Sequence, residues 1–124
     1  MEVTHTLTLK MRYREEVINI RLADILREIG FKASGETISS GKLPDVMIYI
    51  KGVRINLEGR FEDSSSYGVL EQRCRERVDE GICDIAIGIF YPKKLREAQD
   101  DKELINKIKK SVFNYFIIFV SKKG

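Results

Sequence analysis

The chain has 124 residues and a mass of 14.3 kDa, the size of one domain, with a formal net charge of +3 and a sequence pI of about 8.9. Hydrophobic residues make up 43% and charged residues 33%, with only two prolines, which excludes a disordered tail, a collagen-like rod and a proline-rich linker. No apolar run approaches the ~20 residues of a membrane span, the first residues lack a signal-peptide layout, and two cysteines are too few for a disulfide scaffold, so the expectation is a cytoplasmic protein.

The single histidine, His5, leaves little material for a Ser-His-Asp or Cys-His device. Acid-base chemistry therefore falls to carboxylates, lysines or bound water. The basic balance is compatible with a polyanionic partner without demonstrating one.

In chain order, residues 3–11 alternate in part and are left open between a short strand and a lead-in. Ile18, Leu22, Ile25, Leu26 and Ile29 recur at helical spacing, and Gly30 stands where a C-cap glycine belongs, so the spacing predicts an amphipathic helix over 13–29. Residues 31–38, broken by Gly35, read as a modest strand. A polar loop over 39–42 closes on Pro44, which biases Leu43 away from helix. Val46, Ile48 and Ile50 alternate with Asp45, Met47 and Tyr49, a strand signature.

Lys51-Gly52 reads as a two-residue turn into a second alternating strand. There Val53, Ile55 and Leu57 face one side, and Arg54, Asn56, Glu58 and Arg60 the other. Ser64, Ser65 and Ser66 are N-cap candidates for a helix over 67–80. Its apolar positions are Val69 or Leu70, Cys74 and Val78, and Gly81 ends it. Residues 84–90 read as a strand covered on both faces. Residues 92–111 are polar and helix-prone, with a break near Asp100 and Asp101, and 113–120 form a last apolar strand. The order is helix, three strands, helix, strand, helical segment, strand, and no linker divides it. The fold class expected is α/β, one domain over 1–124.

A two-residue turn at 51–52 sets Ile50 opposite Val53, and the same register sets Asp45 opposite Glu58 on one face, their Cβ atoms about 5 Å apart. Arg60, two residues on, shares that face. Two carboxylates side by side are unfavourable unless a cation or a proton separates them. A hard divalent ion such as Mg²⁺ or Mn²⁺ is one solution. An ion pair of Glu58 with Arg54 or Arg60 is the other.

The stretch Leu43-Pro44-Asp45, then twelve residues, then Glu58-Gly59-Arg60 resembles the motif of the PD-(D/E)xK nucleases, the restriction-endonuclease-like superfamily. The element order from Tyr13 to Phe90 is similar to that family's αβββαβ core, a mixed central sheet flanked by helices. The resemblance implies a divalent-metal-dependent endonuclease hydrolysing DNA phosphodiester bonds. It also implies Asp45, Glu58 and the Gly59 carbonyl as ligands of Mg²⁺, with Mn²⁺ substituting. Residue 60 would face the scissile phosphate. The family's usual lysine there is replaced by arginine, which supplies charge to a phosphate but cannot accept a proton. The alternative is a catalytically degenerate nuclease-fold domain that binds DNA or a partner protein.

The same resemblance offers Gln72 on the second helix and Glu15 on the first as further catalytic residues. Asn19 lies one turn from Glu15 on the same helical face. Arg73 and Arg77, four apart, are candidate DNA contacts, as is Lys42, with Glu36 a weaker one. The expected partner is DNA, with no membrane partner. Two-strand cleavage would imply a homodimer. Two readings of the chain stay open: an N-terminal module to which further domains or subunits of a restriction system would be added, or a free-standing small nuclease. Cys74 and Cys83 are read as small core residues.

Overall fold

The structure is a computed structural model and describes residues 13–37, 44–111 and 116–121. Among the described residues it is an α/β fold with a five-stranded mixed sheet and three α-helices. The elements are α1 (Glu15–Glu28), β1 (Lys32–Thr37), β2 (Pro44–Ile50), β3 (Val53–Phe61), α2 (Tyr67–Asp79), β4 (Ile85–Tyr91), a 3₁₀ turn (Lys93–Glu97), α3 (Asp101–Ser111) and β5 (Phe116–Ser121). Among the described residues the predicted order holds, with ends shifted by at most three residues. The break expected near Asp100 separates the 3₁₀ turn from α3. Residues 3–11 and Lys42 lie outside the described residues.

The sheet order is β1-β2-β3-β4-β5, with β3 and β4 parallel and the other neighbours antiparallel. Lys51 and Gly52 both have positive φ, 48° and 85°, as a two-residue turn of type I′ requires. That turn fixes the β2–β3 register from Ile50↔Val53 to Val46↔Leu57, the predicted pairing.

Alternation along the central strands divides the interior into two layers. On one face, Val46, Ile48, Leu57, Phe61, Ile89 and Tyr91 pack with Ile18, Leu22 and Leu26 of α1, and with Leu104 and Ile108 of α3. On the other, Met47, Cys83, Ala86 and Val120 pack with Leu70, Cys74 and Val78 of α2. Of the two candidates at the start of α2, Leu70 is buried and Val69 exposed. The helix begins at Ser66, whose hydroxyl accepts a hydrogen bond from the Val69 N–H. Asn56, Glu58 and Arg60 thus project from the middle strand on the α2 side, and α1 covers the opposite face.

Candidate active site

Glu58 stands at the centre of the candidate site. Its strand is flanked on both sides and its face is covered by α2, and the side chain is 0% exposed. A carboxylate taken this far out of water must be compensated by charge and hydrogen bonds. Three neighbours do so. Arg60 Nη2 lies 2.6 Å from Glu58 Oε2, Arg77 Nε lies 3.4 Å from Oε1, and the Asn56 side-chain amide donates to Oε1 at 3.3 Å. The Arg60 approach is a close ion contact rather than an aligned hydrogen bond. Arg60 also donates through Nη1 to the Gly59 carbonyl at 2.7 Å. One guanidinium therefore spans Glu58 Oε2 and the Gly59 oxygen.

The two arginines differ in kind. Arg77 comes from α2 and is 2% exposed, whereas Arg60 lies beyond Glu58 on the same strand and is 14% exposed. The buried setting of Arg77 corrects the sequence reading, which grouped it with Arg73 as a DNA contact. A guanidinium sealed beneath a helix cannot follow a phosphate backbone. Its position has a signal: Leu70, Cys74, Arg77 and Val78 are spaced i, i+4, i+7 and i+8, which is one helical face. Arg73 is exposed, as a backbone contact would require. Arg54, the other cation considered for Glu58, instead engages Asp84 and the Gly81 carbonyl.

Asp45 belongs to β2, and one step beyond Val46↔Leu57 its register position falls beside Glu58. On its other side Asp45 is paired with Glu36 of β1. Backbone pairing sets positions 36 and 45 opposite one another, and position 58 lies one step past the last β2–β3 pair, Val46↔Leu57.

Gly59 is the residue whose identity the packing explains most directly. Its missing side chain points to the α1 face, where a Cβ would lie 2.3 Å from the Tyr91 ring. Tyr91 crosses beneath the motif at this point, and its hydroxyl donates a short hydrogen bond to the Asn19 side-chain oxygen. Asn19 and Tyr91 are both fully buried. Asn19 is therefore a core anchor for α1 on the face away from Glu58.

Glu15 accepts hydrogen bonds from the Phe61 N–H at 2.8 Å and from the Ser64 hydroxyl at 3.0 Å. It clamps the chain leaving β3 onto the start of α1. A cleft of about 340 Å³ opens beside it, lined by Tyr13, Arg14, Phe61, Ser64 and Arg96 among others. Gln72 lies on the exposed side of α2, donates to Glu76 at 3.3 Å, and is not brought to Glu58. Arg96 stacks 4.0 Å over the Phe61 ring and pairs with Asp63. Hydrogen bonding from Arg96 holds the Asp63 carboxyl below its ordinary range. Cys74 and Cys83 are buried in the core, and burial pushes the Cys83 thiol up to about 11.

The oxygens that the motif offers a hard cation are of the right type for one. A carboxylate oxygen and a main-chain carbonyl converge on one positive group, with a second carboxylate position next in register. Among the described residues no cluster of three or more His, Cys, Asp or Glu side chains gathers at a point, and the positive group seated on Glu58 Oε2 and Gly59 O is Arg60. Among the described residues no helix is long and apolar enough to cross a membrane. Comparison of the chain with family models, with curated proteins and with solved structures found no match.

Proposed function

We propose that the chain is a restriction-endonuclease-like nuclease domain, a divalent-metal-dependent endonuclease hydrolysing DNA phosphodiester bonds. The observation that carries this reading is the fully buried Glu58, whose Oε2 and the neighbouring Gly59 carbonyl meet on one cationic group, beside the register position of Asp45. A buried carboxylate on the middle strand costs stability unless it is offset, and a cation site justifies keeping it there. The order helix, three strands, helix, strand around a mixed sheet also supports the reading.

In this reading Asp45, Glu58 and the Gly59 carbonyl would hold Mg²⁺ or Mn²⁺, which would supply Lewis acidity at the phosphate. Arg77 and Asn56 keep the Glu58 carboxylate oriented from the α2 side. Arg60 offers permanent positive charge to the non-bridging oxygens of the phosphate as negative charge develops there. Arg73 lies on the exposed side of α2, where it can meet the DNA backbone.

One observation favours the second reading, a degenerate nuclease fold that binds DNA or a protein partner. The Arg60 guanidinium already occupies the two oxygens assigned to the ion. Supercoiled plasmid incubated with Mn²⁺ or Mg²⁺ separates the two. The nuclease reading expects nicking by the wild-type chain that falls at least about tenfold, roughly 1.4 kcal/mol of barrier, in Asp45→Ala. Equal faint nicking by both proteins overturns it and leaves the binding reading.

A further inference from the structure

We infer that Arg60 is an exchangeable internal cation: it occupies the seat of the divalent ion in the ion-free protein, and the ion binds only as the guanidinium swings out. This concerns regulation of the proposed site and rests on the metal-dependent reading above. The first ground is coincidence of ligands. Arg60 takes Glu58 Oε2 at 2.6 Å and Gly59 O at 2.7 Å, so an ion on the same two oxygens and the guanidinium exclude each other by volume. The second is charge. Glu58 contributes −1, and Arg60 and Arg77 contribute +2 within 3.4 Å of its oxygens. A divalent ion seated on these oxygens beside both guanidiniums would be repelled by each of them at short range. Departure of one arginine lowers that barrier.

The structure also selects which arginine departs. Arg77 is sealed at 2% exposure beneath α2, while Arg60 reaches solvent at 14%. The Arg60 contact with Oε2 is a close charge contact without hydrogen-bond alignment, so its departure forfeits that attraction and one directed bond, to the Gly59 carbonyl. Arg77 and Asn56 remain on Oε1 when Arg60 leaves, and Glu58 is never stripped of partners in the dry interior. A released Arg60 side chain, anchored two residues from Glu58, stays close enough to meet a phosphate bound at the ion. Ion entry and presentation of the guanidinium to substrate are thereby one event, which a lysine, with a single point charge and no fork to span both oxygens, would perform less tightly.

The test is Mn²⁺ binding by calorimetry to the DNA-free chain, for wild type, Arg60→Ala and Arg60→Gln. A charge-assisted contact of this kind corresponds to about tenfold or more in an equilibrium constant, so both variants should bind Mn²⁺ about tenfold more tightly. Affinity equal to or weaker than wild type overturns the proposal, as does absence of binding by all three. Should the variants fail to fold, the wild-type chain decides by ¹⁵N NMR during Mg²⁺ titration. The Arg60 Nε resonance should move towards that of free arginine while that of Arg77 stays. An Arg60 resonance unmoved at Mg²⁺ saturation, or no binding of Mg²⁺, overturns it. Asp45-dependent nicking with flat Arg60 results sinks the exchange alone, whereas no nicking together with no ion binding sinks the nuclease reading as well.

Discussion

Glu58 is a carboxylate that solvent does not reach, and its neighbours show how the chain tolerates it. Two guanidiniums and one amide surround it, and they are not equivalent. Arg77 is the fully sealed cation of this cluster, and its removal takes a charge partner from Glu58 in the dry interior and opens a void beneath α2. Arg77→Ala should therefore destabilise the fold by about 3 kcal/mol or more. Arg60 lies nearer solvent, and Arg60→Ala, which leaves Arg77 and Asn56 on Glu58, should cost less, about 2 kcal/mol. Urea denaturation of the two variants checks the contrast. Equal losses would mean that both arginines serve stability alike and that the distinction between fixed and exchangeable cations is mistaken. Sequence spacing placed Arg60 beside Glu58, because alternation along a strand is a strict period of two. It did not place Arg77 there, since a helix full of alternating charges offers several arginine–glutamate pairings of similar merit. The Leu70-Cys74-Val78 stripe held the missing clue, because position 77 falls inside it.

At the scale of elements, β3 carries the site and its two faces impose different demands. The α2 face accepts Asn56 and Glu58, whereas the α1 face at Gly59 is filled by the Tyr91 ring. Gly59→Ala should cost about 3 kcal/mol, since its Cβ meets the ring at 2.3 Å. In a Tyr91→Ala background the same change should cost much less, and a denaturation cycle over the four proteins reads the coupling. Additive losses would contradict the close-approach account. Much at this scale is legible in the sequence. The two-residue turn at Lys51-Gly52, the Ser66 cap and the β2–β3 register all follow from local rules of turn and cap chemistry. The Gly59–Tyr91 approach is not, because it joins residues thirty-two positions apart through the parallel pairing of β3 with β4. Glu15 was legible as a first-turn glutamate, but its grip on Phe61 and Ser64 depends on where the end of β3 meets α1.

For the whole molecule, the position of β3 in the centre of the sheet is decisive. With β2 on one side, β4 on the other, α1 and α3 on one face and α2 on the other, the motif strand is enclosed and Glu58 is dry. The order of elements could be read from hydrophobic periodicity, and that order suffices for an α/β assignment. Which helix covers which face could not, because every helix here has an apolar stripe able to pack on either side. The spatial result bears on the proposed function: Arg77 comes to Glu58 from α2 and Arg60 from β3 itself, and the start of β2 lies next to Glu58 in register. The direct measurement is a crystal soaked in Mn²⁺ and recorded at the manganese edge. The account predicts an anomalous peak bounded by the carboxylates of Asp45 and Glu58 and the Gly59 carbonyl, with the Arg60 side chain displaced from both oxygens. A map at saturating Mn²⁺ with no peak there, and with Arg60 still seated on Glu58, would contradict it.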